Sequence, residues 1–204
     1  VSAFGGSSYS VEDDHMKDAE AQYCAMEAEL QEYLDTYEST HYYDEYHYDL
    51  DEIEHDPYVL LSAISALHGG EWTIDEIGGT LQMLFDKQYI LTETVETETR
   101  YRTETRIGTT TYTDPETGET ITETYEYEVE VPYTYYICTV ELENFNLSHV
   151  PVYIMSEEQL SMYATYMSTL GNRPDLFPDS SYVDAYINTE YEEYEIPASA
   201  LSDP

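Results

Sequence analysis

The chain has 204 residues, enough for one medium domain or two small ones with a real core. Its 44 Asp and Glu face six Lys and Arg, a formal charge of −38, and 24 of its residues are Tyr. So few cations exclude phosphate-led nucleic-acid binding and attraction to anionic lipid, and no apolar run is long enough to span a bilayer.

The opening VSAFGGSSYS lacks the basic end and apolar centre of a signal peptide, and residues 1–10 read as a flexible lead-in. A helix follows. Met16, Ala19, Tyr23, Met26, Leu30, Tyr33 and Tyr37 alternate steps of three and four, with Glu20, Glu27, Glu29 and Glu32 outside that seam. Such a helix either packs on its own domain or forms a stalk or dimer seam. Residues 41–56 are dense in Tyr, His and acids without a helical period, and read as irregular or short extended structure.

Asp56-Pro57 predicts a capped helix start, Leu60, Leu61, Ile64 and Leu67 its apolar face, and Gly69-Gly70 its end. Thr73-Ile-Asp-Glu76 reads as a capping box for a next helix, with Gly78-Gly79 inside that helix. From Tyr89 the period changes to two. Strands are predicted over about 90–112 and 120–143 around the turn Asp114-Pro-Glu-Thr-Gly118. Odd residues from Tyr125 to Ile137 form an apolar face, and Glu126, Glu128 and Glu130 the other. Arg100, Arg102 and Arg106 are even, so a register whose paired numbers sum to about 232 or 234 puts Arg beside Glu on one face. The Thr-rich tip, residues 103–124, is expected to stand out as a ribbon. Ser156-Glu-Glu-Gln159 opens a further helix carrying Leu160, Tyr163, Met167 and Leu170 inward, stopped by Gly171-Asn172.

The expected fold class is therefore α+β: an amphipathic N-terminal helix, a helix pair, a long antiparallel β-hairpin and a further C-terminal helix. The expected organisation is a linker over 1–10, and a helical stalk or packed helix with the Tyr/His/acid segment over 11–55. An α+β domain over 56–185 and an acidic linker over 186–204, leading to another domain, complete it.

No catalytic residue is assigned. Glu27 with Glu38, or Glu52 with Glu54, could be written as acid/base pairs, as could many others among 44 acids. Cys24 lies in an apolar helical register without an electropositive setting, so a thiol nucleophile is not expected. Two buried free thiols are expected at Cys24 and Cys138, with a single long-range bridge between them as the alternative. His41, His47 and His55 with Asp44, Asp49 and Asp51 match no strong zinc spacing, and Asp49-x-Asp51 lacks the Gly and Glu of a calcium-binding EF-hand loop. No metal site and no cofactor are assigned. The helix, Gly turn, helix, hairpin order over 57–142 is that of a winged helix, but Lys87 is the second helix's only cation, so DNA reading is excluded. Tyr42, Tyr43, Tyr46 and Tyr48 follow no core period, and are the candidate contacts for a glycan or partner.

The segments AQYCAMEAELQEYLDTYEST, DPYVLLSAISALHGGEWTIDEI, YRTETRIGTTTYTDPETGET and NLSHVPVYIMSEEQLSMYATYMSTLGNRPDLF resemble the extracytoplasmic region of cell-wall hydrolases carried by conjugative transposons of Gram-positive bacteria. The resemblance covers nearly the whole chain. It implies a membrane anchor ahead of Val1 and a cysteine peptidase of the NlpC or CHAP type after Pro204. No residue here, Cys24 and Cys138 included, matches the peptidase motif, and the Glu-Ser helix of a lysozyme-like domain is not found. The expected role is a non-catalytic spacer or docking region in the wall zone, at the cell surface. Its expected partners are peptidoglycan and conjugation-channel proteins, and nucleic acid is not among them. A glycan-binding or glycan-cleaving domain using Tyr and carboxylates is the alternative, and an acidic DNA mimic acting against restriction is another.

Overall fold

The computed structural model describes residues 7–194, with side chains as far as Ile187. The lead-in over 1–6 and the tail over 195–204 lie outside the described residues. The fold is α+β. In chain order it has α1 (Asp13–Asp35), α2 (Tyr37–Thr40), β1 (Glu45–Leu50), α3 (Pro57–Leu67), α4 (Gly78–Gln88), β2 (Tyr89–Thr113), β3 (Thr120–Asn144), α5 (Pro151–Ile154), α6 (Glu157–Thr169) and α7 (Ser181–Tyr194). Short 3-10 turns stand at Ile74–Glu76, Leu147–His149 and Leu170–Asn172. The strands form one sheet in the order β1-β3-β2. No helix among the described residues is long and apolar enough to cross a membrane.

The chain divides into two compact units. One comprises residues up to Tyr37, then 49–92, then 141 onward. The other comprises Glu38–Tyr48 and 93–140.

The first unit is built on α3. The Asp56 carboxylate accepts the Tyr58 N–H and caps the helix, Pro57 occupies its first turn, and Gly69 and Gly70 follow its end with φ of 71° and 102°. Residues 58–66 of α3 are all buried, so this helix is enclosed on every side rather than along one stripe. It packs against α1 and α6, and α1 also packs against α4.

On α1 the buried residues are Met16, Ala19, Tyr23, Glu27 and Leu34. The heptad seam expected from the sequence drifts away from this face. A straight helix at 3.6 residues per turn sets Leu34, not Tyr33, above Met16. Tyr33 is accordingly exposed, and Glu27 takes the core position. Gly78 and Gly79 begin α4 instead of interrupting it, because the Thr73–Glu76 capping box closes only a 3-10 turn. Ser156 and Gln159 form the expected capping box of α6, where Tyr166 is the buried residue.

Residues 7–11 are tied down rather than loose. Tyr9 is buried, its N–H donates to the Gly171 carbonyl at 3.1 Å, and its hydroxyl bonds Ser62 Oγ at 2.7 Å. The Arg173 guanidinium donates to the carbonyls of Tyr9 and Val11 and to Asp13 Oδ1. Part of the segment read as an acidic tail is helical, since α7 runs to Tyr194.

In the second unit the hairpin turn forms as expected. Asp114 Oδ1 accepts the Glu116 N–H, and Gly118 has a φ of 72°. The register differs from expectation. The Asp114 N–H donates to the Glu119 carbonyl, so even residues of β2 oppose odd residues of β3. A Cβ on Gly108 would meet the Tyr125 ring, and Arg100 lies 3.4 Å over the Tyr135 ring centre. The arginines therefore face tyrosines across the strands, and their acid partners are two residues away on their own strand. Arg100 pairs with Glu98 at 2.8 Å, and Arg102 with Glu104 at 3.0 Å. Residues 41–56 contain a short strand: β1 runs parallel to β3, with the Asp44 N–H on the Tyr136 carbonyl and the Asp51 N–H on that of Leu142.

Candidate functional site

A cluster of titratable side chains lies inside the first unit's core. Glu20, Tyr23, Cys24 and Glu27 come from α1, and the spacing of 20, 24 and 27 sets the two acids and the thiol on one helix face. His55 comes from the segment before α3. Its imidazole is 2% exposed and sits between two carboxylates. His55 Nδ1 is 2.6 Å from Glu27 Oε1, and Nε2 is 2.8 and 2.9 Å from the two Glu20 oxygens. Tyr89, at the start of β2, donates its hydroxyl to the other oxygen of Glu27.

A further layer fixes these groups. Tyr23 donates to Gln88 Oε1 at 2.6 Å, and Gln88 Nε2 donates to the Glu54 carbonyl at 2.9 Å and to Asn144 Oδ1 at 3.1 Å. Among the described residues no buried side-chain nitrogen or oxygen lacks a partner. Such complete pairing is what makes charge inside a core tolerable. Burial alone would lower the His55 pKa, but hydrogen bonds to Glu20 and Glu27 outweigh it and raise it to about 9.

Cys24 is exposed, and its thiol donates to Glu20 Oε1 at 3.2 Å. Desolvation and that carboxylate push its pKa up to about 12, the opposite of what a nucleophilic thiol needs. The expectation of a buried Cys24 fails because Glu27, not Cys24, turns toward the core. Cys138 is buried, and neither cysteine is in a disulfide.

A cleft of about 520 Å³ opens beside His55, lined by Asp51, Glu52, Glu54, Asp56 and Asn144 among others. Several of its acids are engaged in holding the backbone. Asp51 Oδ2 accepts the Asn144 N–H at 2.9 Å, and Asp56 Oδ2 accepts the Ser180 hydroxyl at 2.5 Å.

In the second unit the structure gathers three of the four candidate tyrosines. The Tyr46 hydroxyl donates to the His41 carbonyl and accepts the Tyr43 N–H, both at 2.9 Å. Ring centres are 5.9 Å apart for Tyr43 and Tyr46, and 6.3 Å for Tyr46 and Tyr48, the latter pair stacked with planes nearly parallel at 5°. Tyr48 donates to Glu38 Oε1 at 3.0 Å, so Glu38 belongs to this row. Tyr42 is 93% exposed and stands outside the row. Asp44 Oδ2 accepts the Tyr136 N–H at 2.7 Å, and His47 pairs with Glu45 at 2.8 Å.

The cluster around His55 was not legible in the sequence. Its members lie up to 69 positions apart (Glu20 to Tyr89), and the 44 acids hide the two that matter. The usable signal was Glu27 at a core position of the 3.6-residue period. Comparison with protein-family models, curated proteins and solved structures finds no match.

Proposed function

We propose that this chain is a non-catalytic accessory region of a cell-wall hydrolase of a conjugative element. The ribbon of residues 93–140 acts as its docking arm. The observation that carries the reading is the ribbon's surface. Tyr101 and Ile107 are 64% and 70% exposed, and Val95, Tyr112, Tyr125 and Tyr127 are exposed with them. A two-stranded ribbon gains little stability from its own packing, and rows of large exposed side chains mark partner surfaces. The chemistry of the first unit supports the same reading, because His55 is enclosed by carboxylates and the Cys24 thiol is held protonated.

In this reading the arm engages a conjugation-channel protein outside the cytoplasmic membrane, and a cysteine peptidase elsewhere in the parent protein opens peptidoglycan. The charge of −38 discourages sticking to anionic wall polymers on the way. Reading the gene past the codon for Pro204 tests it. An open frame encoding a Cys-centred peptidase motif is expected, and a stop codon there would contradict the assignment.

The row of Tyr43, Tyr46 and Tyr48 favours a second reading, direct glycan binding, since sugar faces stack on such rings while Glu38 accepts hydroxyls. Sedimentation of the purified chain with peptidoglycan is its test, and a chain that stays in the supernatant removes it.

A further inference from the structure

Three donors of different chemistry converge on the surface of α1. The Cys24 sulfur, a Glu20 carboxylate oxygen and a His55 ring nitrogen all lie within 4.8 Å of one another. Sulfur to Glu20 Oε1 is 3.2 Å, and the same oxygen is 2.8 Å from His55 Nε2. Thiolate, imidazole and carboxylate are the donor types of zinc. At bond lengths of about 2.0–2.3 Å a tetrahedral ion needs its ligands roughly 3.3–3.8 Å apart. The two distances to Glu20 Oε1 fall a few tenths of an ångström short of that spacing, and the sulfur lies within 4.8 Å of the ring nitrogen.

The groups behind the donors are arranged as a metal site requires. His55 Nδ1 faces Glu27 Oε1 at 2.6 Å, which holds the proton on Nδ1 and turns Nε2 toward Glu20 and Cys24. Tyr89 donates to the other Glu27 oxygen and fixes the carboxylate in turn. This carboxylate–imidazole relay orients histidine ligands in zinc proteins generally. Glu20 and Cys24 are one helical turn apart on the same face, so the helix presents both at once. Cys24 is exposed, which leaves one side of the site open to water.

We propose that Glu20, Cys24 and His55 bind a divalent zinc-type cation, with water in the fourth position and Glu27 as the positioning residue. Binding releases the thiol proton and the Nε2 proton of His55, so two protons leave as one dication enters. The ion ties α1 to the segment preceding α3.

The test uses the full chain stripped with a chelator. Zn²⁺ is titrated against a chromophoric competitor, and Co²⁺ serves as the spectroscopic probe. One Zn²⁺ per chain is expected, with a sulfur-to-cobalt charge-transfer band. Cys24→Ser and Glu20→Gln should each weaken Zn²⁺ binding at least about tenfold, and Cys24→Ser should abolish the band. Both residues are at the surface of α1, and unchanged Trp72 fluorescence verifies folding. Glu52→Gln, which removes an equal charge elsewhere, should change affinity less than about twofold. The proposal is overturned if Cys24→Ser binds Zn²⁺ as the wild type does, if Co²⁺ shows no sulfur band, or if Glu52→Gln weakens binding as much as Glu20→Gln. Any of these would mean diffuse attraction to an acidic surface or no site at all.

Discussion

Glu27→Gln isolates the charge at the centre of the buried cluster while keeping its shape. Glu27 receives the His55 Nδ1–H at 2.6 Å and the Tyr89 hydroxyl. The amide can keep one bond to His55. Its NH₂ then faces Tyr89, whose hydroxyl has the Glu54 carbonyl as an alternative acceptor at 3.1 Å. What is lost is one of the two carboxylates flanking the imidazolium. A hydrogen bond to a charged group contributes about 1.5–3 kcal/mol, so the substitution should cost about 2 kcal/mol. Trp72, the only tryptophan, is buried in the same unit and reports its unfolding. With a urea m-value of about 2 kcal/mol/M, the midpoint in chelator at pH 6 should fall by about 1 M. The pH dependence gives a second reading. The His55 pKa is raised to about 9 from an ordinary 6.5, so its stabilisation is complete below about pH 6.5 and is lost as the pH rises through about 9. At about 1.4 kcal/mol per pKa unit the wild-type loss across that window is at most about 3–4 kcal/mol. The variant should lose less. A midpoint shift under about 0.2 M, or parallel pH curves for the two proteins, would refute the role given to Glu27.

Three further outcomes are expected. Gly171→Ala drives a Cβ into the Tyr9 ring at a φ of 64°; overpacking and the left-handed backbone together should cost about 2–4 kcal/mol in the same urea assay. Arg173→Lys replaces a guanidinium that holds Tyr9, Val11 and Asp13 with a single ammonium; faster proteolysis near Tyr9 is expected by mass spectrometry, and an unchanged cleavage map would count against the anchor. Arg100→Ala removes an exposed ion pair and the contact over Tyr135. It should leave amide exchange over 125–140 almost unchanged, and a marked acceleration there would count against so small a role.

What was legible in the sequence is local. The Asp56 cap, the Gly69-Gly70 stop, the Ser156 capping box and the Asp114–Gly118 turn are each decided within a few residues, and all form. The features missed depend on distance or on parity. Whether Arg106 meets Glu or Tyr across the ribbon turns on a one-residue difference in register, and composition suits both. The pairing of β1 with β3 joins segments some ninety positions apart (Asp44 with Tyr136). The helical face of α1 was misjudged because a polar residue, Glu27, occupies a core position. It does so because His55 and Tyr89 meet it there, and neither is its neighbour in sequence.

The docking role proposed for the ribbon is tested most directly by shortening it in the intact protein that carries this chain. Excising residues 103–130 and joining Arg102 to Val131 through Asn-Gly retains the register set by Asp114 and Glu119, and gives a two-residue hairpin. The account predicts that hydrolysis of purified peptidoglycan continues while conjugative transfer falls at least about tenfold. Transfer at the wild-type level would contradict it, and so would a loss of hydrolysis in step with transfer.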